Sequence, residues 1–289
     1  MEKFLIVTNE ARDPGLEITR RMIDYLHKKG ASCWSANKMM SEDSSFDIAK
    51  AAELLPDGAD CVLVLGGDGT LLRAARKLVH KNIPFLGINS GHLGYLTEGD
   101  KSKAEYILDR VIADEYFLEE RMMLDGRILA PDGTVRAEGT ALNDITLNRC
   151  RYLRIIKFKL YVNGEFLYYY TADGIIVSTP TGSTAYSLSC GGPVVEPTAR
   201  LFVITPIAPH SLNNRSLILS ANDKLELELI GAGSSDPAAT TGFVSYYDGE
   251  DAVTLQPGDR IEVVKSQRVA KIVKLSRQSF LETIRIRMS

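Results

Sequence analysis

The run Cys61-Val62-Leu63-Val64-Leu65 ends in Gly66-Gly67-Asp68-Gly69-Thr70, and Leu71-Leu72-Arg73-Ala74-Ala75-Arg76-Lys77-Leu78 follows at once. A short, continuous apolar run reads as a strand buried on both faces, the habit of parallel sheets covered by helices. The segment after the glycines reads as a helix. A strand, a glycine turn and a helix in that order commit this part of the chain to a parallel α/β sheet.

The turn itself has chemistry. Glycines let backbone N–H groups approach an anion, and a helix N-terminus favours negative charge. Gly66, Gly67, Gly69 and Thr70 are therefore candidates to hold phosphate. Asp68 does not fit a pure phosphate cradle, because like charges repel. An acid there points to catalysis beside the phosphates. Gly-Asp-Gly is also ordinary turn chemistry, so the rest of the chain must separate the two readings.

Around this motif, strand and helix signals alternate. Phe4 to Thr8 reads as a strand; Ile18, Met22, Tyr25 and Leu26 recur at helical spacing, and Gly30 stops that helix. Ala31 to Ser35 is a further strand candidate. Ile83 to Ile88 is another, and it ends in a second glycine-bearing loop, Asn89-Ser90-Gly91-His92-Leu93-Gly94-Tyr95. In open α/β sheets ligands bind beyond the carboxyl ends of strands, so both glycine loops can face one site.

The grammar changes near residue 120. Pro131-Asp132-Gly133 reads as a turn. Ile156, Phe158, Leu160 and Val162 alternate with Lys157, Lys159 and Tyr161, and Asn163-Gly164 is a hairpin signal. Leu225, Leu227 and Leu229 alternate with Glu226 and Glu228, and Pro257-Gly258-Asp259 turns into Arg260 to Val264. The fold class expected is α/β plus all-β: a Rossmann-like α/β domain over 1–118, a β-sandwich-like domain over 119–270, and a segment over 271–289 that can return to the first domain.

With 289 residues and a net charge of −3, the chain shows no electrostatic bias towards nucleic acid or an anionic membrane. No stretch reaches the ~18 apolar residues of a spanning helix, and the N-terminal apolar run is too short for a signal peptide. Cys33, Cys61, Cys150 and Cys190 form no CxxC pair, which fits a reduced, cytoplasmic protein. The four histidines are scattered, so no preformed metal site is expected.

Two further regions carry polar chemistry. Asn143-Asp144 interrupts the apolar run Ala141 to Leu147; an amide beside a carboxylate can hydrogen-bond the adjacent hydroxyls of a ribose, although a turn or bulge also explains it. Thr171 to Ser187 gathers hydroxyls, small residues and glycine around Asp173 and Tyr186, a composition that admits a planar ligand and also suits a polar capping loop. His210 can shuttle a proton, but a structural histidine is the plainer reading.

These segments, in this order, resemble the bacterial ATP-dependent NAD kinases. The match runs from Cys61 to Asp259 and includes both glycine loops, Asn143-Asp144, Asp173 to Ser187, Pro209-His210 to Arg215, and Asp248-Gly249. The resemblance implies phosphorylation of the adenosine-ribose 2′-hydroxyl of NAD by ATP with Mg²⁺, a cleft between the two domains, and a homo-oligomer, commonly a tetramer. It makes Asp68 the catalytic base and puts Gly69 against the substrate and Arg73 near the phosphates. It implies that Tyr95 packs on adenine, that Asn143 and Asp144 hold NAD, and that Asp173 reads NAD near its nicotinamide end. Thr184, Ala185, Tyr186 and Ser187 match the segment around base and ribose, which Leu188 and Ser189 continue. Arg154 and Thr171 are further carry-overs. Asp144 departs from the family pattern, where Glu is commoner, and its reach is one methylene shorter.

Two other readings stay open. A lipid or sphingoid kinase shares the glycine loop but has no need of Asp173 to Ser187. A non-catalytic nucleotide sensor would have little reason to keep Asp68. A dehydrogenase is disfavoured, because no GxGxxG follows the first strand: Thr8 runs on to Asn9-Glu10-Ala11-Arg12-Asp13-Pro14-Gly15.

Overall fold

The computed structural model describes residues 1–36, 58–91, 94–150, 155–210, 215–232, 243–276 and 280–287. The chain divides into two compact units, Met1–Arg121 with Arg268–Ser289, and Met122–Gln267.

In the first unit, β1 (Lys3–Thr8), β2 (Ser32–Ser35), β3 (Cys61–Gly66) and β4 (Phe85–Asn89) form a parallel sheet in the order β2-β1-β3-β4, and β5 (Thr97–Asp100) pairs parallel with the last residues of β4. All six residues of β3 are buried, as its unbroken apolar run requires. One face of the sheet, carrying Phe4, Ile6, Leu63, Leu65, Leu86 and Ile88, packs on α1 (Glu17–Lys28) through Met22 and Leu26. The helix following β3, α2 (Asp68–Leu78), buries Leu71, Ala74, Ala75 and Leu78. Leu71 meets Gly87 of β4, where a Cβ would lie 2.9 Å from the leucine Cδ1. On the first face α3 (Ala104–Ile112) adds Ile107, Leu108 and Val111 to the core around α1. A sheet covered on both faces by helices is the α/β architecture expected from the alternating signals.

One local expectation needs correcting. The spacing places a helix from Leu71, with residues 66–70 as a loop, but α2 begins at Asp68. Gly67 is its N-cap, in an extended conformation with φ −106° and ψ −174°, and its carbonyl accepts the N–H of Thr70 at 3.0 Å and of Leu71 at 3.2 Å. Gly69 inside the first turn costs only about 1 kcal/mol of helix propensity, and the packing of α2 overrides it. The glycine loop is therefore a single capping residue, and Asp68 stands in the first turn of a helix.

The second unit is built from β6 (Phe117–Leu129), β7 (Val135–Ala141), β8 (Asp144–Arg149), β9 (Ile156–Val162), β10 (Glu165–Ala172), β11 (Gly174–Ser178), a short helix α4 (Tyr186–Ser189), β12 (Leu201–Ile207), β13 (Leu217–Ser220), β14 (Leu225–Ala232), β15 (Phe243–Tyr247), β16 (Glu250–Leu255) and β17 (Arg260–Lys274). β6 begins and β17 ends in the first unit. The strand expected over Arg260–Val264 is thus the start of a much longer one. Its far end pairs Ile272 with Phe85 of β4. A last helix, α5 (Phe280–Arg287), also lies in the first unit.

One antiparallel sheet of the second unit runs β13-β12-β11-β8-β15-β16, and the other runs β10-β9-β14-β17. Alternate residues of both, such as Ile145, Leu147, Ile175 and Val177 from the first and Phe158, Leu160, Leu225 and Leu227 from the second, fill one core. Two sheets facing across a shared core make the sandwich the alternating strands predict. The β9–β10 hairpin turns at Asn163 (φ +52°) and Gly164 (φ +82°), as the Asn-Gly signal requires.

Gly126 of β6 pairs directly with Gly139 of β7, and Tyr247 fills the space over them: a Cβ on either glycine would lie 2.8 Å from its ring. Tyr247 is fully buried and leads into the Asp248-Gly249 turn. Gly139→Ala should therefore destabilise the fold by about 1–3 kcal/mol, the usual effect of overpacking. Urea titration of the two proteins checks this, and equal midpoints would refute it.

Candidate active site

Three strand ends converge in the first unit. The Ser90 N–H donates to the Gly66 carbonyl (3.3 Å), linking the ends of β3 and β4. Asn9, just past β1, donates from Nδ2 to Thr70 Oγ1 at 3.4 Å. The second glycine loop grips the acid of the first: Asp68 Oδ2 accepts the Tyr95 N–H at 2.7 Å, and Oδ1 accepts the Leu96 N–H at 3.2 Å. Gly94 lies so close to this carboxylate that a Cβ there would collide with it. These contacts resolve the oddity of an acid in a phosphate turn. Two backbone donors and the α2 N-terminus stabilise its charge, and each oxygen keeps a lone pair to accept a further proton or hydrogen bond.

Gly66 is buried, and a Cβ there would lie 2.5 Å from Thr70 Oγ1, so only glycine fits. Gly69 and Arg73 are exposed, one helical turn apart on the same face of α2. Tyr95 is half-buried beside Asp68. The exposed Arg12, which sequence reasoning passed over, lays its guanidinium against Gly91. Among the described residues no three His, Cys, Asp or Glu side chains form a group able to hold a metal ion.

The second unit contains a pocket of about 540 Å³. Asn143, Asp144, Ala185 and Tyr186 line it, together with Thr146, Asn148, Arg149, Tyr246, Asp248 and Gly249, none of which the sequence reading placed there as site residues. A signal for some of them exists in β8: Asp144, Thr146 and Asn148 alternate with the core residues Ile145 and Leu147, so the polar three share one face of the strand. Tyr246 is the cross-strand partner of Thr146. Asp173 sits beside the pocket, its carboxylate 2.8 Å from the Nη2 of Arg149.

Other expected residues are elsewhere. Ser187 is fully buried, with its hydroxyl 2.8 Å from that of Thr205. The Thr184 hydroxyl donates to the Thr181 carbonyl at 3.3 Å. Thr171 lies on β10, where its carbonyl accepts the His210 N–H at 2.9 Å. Neither these residues nor Leu188 and Ser189 line the pocket. Arg154 lies outside the described residues.

Asp144 is 5% exposed, and burial, then the negative charge of Asp248, push its carboxyl up to about 7. An aspartate in the unfolded chain titrates near 3.9. The folded state therefore binds the extra proton between these values, and stability falls as pH rises from about 4 to about 7. Removing the titration with Asp144→Asn should flatten that segment of the stability profile by up to about 4 kcal/mol. Urea unfolding of both proteins at pH 5 and pH 8 measures it. A wild-type-minus-variant difference that does not change with pH would refute it.

Residues 4–116 match the ATP-NAD kinase N-terminal domain, and residues 142–275 match the ATP-NAD kinase C-terminal domain. The chain belongs to the NAD kinase family. The NAD kinase of Lachnospira eligens is 46% identical over 297 residues, covering 100% of both chains, and that of Agathobacter rectalis is 38% identical over 291 residues, covering 100% of this chain and 99% of its own. Among solved NAD kinase folds, the Archaeoglobus fulgidus NAD kinase in complex with ATP superposes with a TM-score of 0.72 at 26% identity, over 96% of this chain and 94% of that one. The yeast NADH kinase complexed with NADH superposes with a TM-score of 0.85 at 24% identity, over 98% and 86%, a likeness of fold.

Proposed function

We propose that this protein transfers the γ-phosphoryl group of ATP to the 2′-hydroxyl on the adenosine ribose of NAD, giving NADP and ADP. The observation that carries the chemistry is the Asp68 carboxylate, held by the Tyr95 and Leu96 amides at the start of α2. The 2′-oxygen attacks the γ-phosphorus in line, the bridging β–γ P–O bond breaks, and the proton passes to Asp68. Phosphoryl transfer asks a protein mainly for positioning and charge neutralisation. Gly66, Gly67, Gly69 and Thr70 offer backbone and hydroxyl donors to the ATP phosphates, and Arg73 adds a positive charge one turn on. Mg²⁺ arrives as part of the nucleotide substrate and neutralises its phosphates.

NAD is held by Asn143 and Asp144 through the ribose hydroxyls, with Tyr186 and Ala185 beside the base and Asp173 towards the nicotinamide end. Asp144 and Tyr186 line the same pocket, which supports these roles. A lipid kinase would need none of that pocket, and a mere sensor would not need Asp68. The unpaired cysteines fit a cytoplasmic protein, and the family resemblance implies a homo-oligomer, a tetramer or a dimer. The edge strand β10, with Phe166 53% exposed and Leu167, Tyr168 and Tyr169 beside it, offers apolar surface for such assembly. Incubation with MgATP and NAD, followed by an NADP-specific assay, tests the reaction. Product from diacylglycerol and none from NAD would replace it with the lipid-kinase reading.

A further inference from the structure

The Asn143-Asp144 turn is held by a residue from the opposite end of the second unit's sequence. Asp248 accepts three consecutive backbone N–H groups, those of Leu142 (2.9 Å, Oδ2), Asn143 (2.7 Å, Oδ1) and Asp144 (3.0 Å, Oδ1). Its own N–H donates to the Asp144 carbonyl at 2.9 Å. The same turn is gripped from its carbonyl side: Thr179 donates from Oγ1 to Leu142 O at 2.6 Å and from its N–H to Asn143 O at 2.8 Å. Gly182 presses against that Asn143 carbonyl so closely that no Cβ fits.

We propose that Asp248 is a positioning residue for NAD. Its carboxylate fixes the turn from Leu142 to Asp144, so that the Asn143 and Asp144 side chains stand ready for the ribose. The inference rests on the reading of the reaction given above. Three donors converging on one carboxylate form an anion nest. A neutral amide at 248 cannot replace it, because an amide has one acceptor oxygen and its NH₂ would face backbone N–H groups. Asp248 adopts φ +52° in its turn, and its carboxylate meets the amides that lead into the start of β8.

The negative charge has a second effect. It opposes ionisation of Asp144, whose carboxyl burial already pushes up. Among the described residues, Tyr186 and Cys190 also feel the charge of Asp144, and Arg149, paired to Asp173, lines the same pocket. A carboxyl group that is part-protonated near neutral pH can donate one hydrogen bond and accept another, which suits two adjacent hydroxyls.

The test is Asp248→Asn in the full chain. The KM for NAD should rise at least tenfold while the KM for ATP stays within twofold. The pH at which the KM for NAD inflects should move down, because the like charge is gone. Hydrogen exchange at the Asn143 and Asp144 amides should lose protection. If the asparagine variant does not fold, Asp248→Glu, which keeps the charge but overreaches, should show the raised KM without the downward pH shift. Wild-type turnover combined with an unchanged KM and an unmoved inflection in a folded variant would overturn the inference alone. A wild-type protein that makes no NADP would overturn the reading of the reaction, and this inference with it.

Discussion

Asp68→Asn is expected to lower kcat by about 10²–10⁴-fold, the usual contribution of a general base, while the KM for NAD stays near its wild-type value. The substitution is almost isosteric. Both Asp68 oxygens accept backbone N–H groups, and asparagine retains one acceptor, so the fold should lose about 1–3 kcal/mol. Turnover should therefore be measured beside an unfolding curve, at a temperature where both proteins are folded. Near-normal kcat in the folded variant would remove Asp68 from the proposed chemistry.

Gly94→Ala should bring a comparable loss without touching an ionisable group. The new methyl would occupy the space of the Asp68 carboxylate. A side-chain end can swing away more readily than backbone can, so the protein should still fold. The displaced carboxylate then loses its contacts with the Tyr95 and Leu96 amides. A shift of about 1 Å at a reacting group lowers rate by about 10²-fold. The expected signature is a fall in kcat of that order with the KM for NAD changed less than threefold. Wild-type kcat in Gly94→Ala would show that the clamp on Asp68 has no bearing on turnover.

Much of the fold was legible because its periods are simple. The apolar run of β3 could only be a strand covered on both faces, and all of it is buried. Ile156, Phe158 and Leu160 announced the core face of β9 by alternation, and they lie in that core. Less was legible where tertiary packing overrode local propensity. α2 starts at Asp68 despite two flanking glycines, because its apolar face is buried. The polar face of β8 was readable in principle from Asp144, Thr146 and Asn148. Arg149 and Tyr246 were not, because only strand pairing brings them to the pocket, and Asp248, though part of the family match, had no role until its turn was seen beside Asn143 and Asp144.

The sequence by itself determined the residue types available for chemistry and the order of strands and helices around them, though it put Asp68 in a loop rather than in the first turn of α2. The glycines, the acid at 68 and the amide–acid pair at 143–144 are side-chain identities, and side chains are what a sequence writes down. Tertiary structure alone decided how those groups are held. Asp68 is clamped by amides 27 and 28 residues away, and the Asn143-Asp144 turn by a carboxylate 105 and 104 residues away. Every residue except proline carries the same backbone N–H. No residue type marks which of them will donate, and only the folded chain brings the chosen amides within hydrogen-bonding distance.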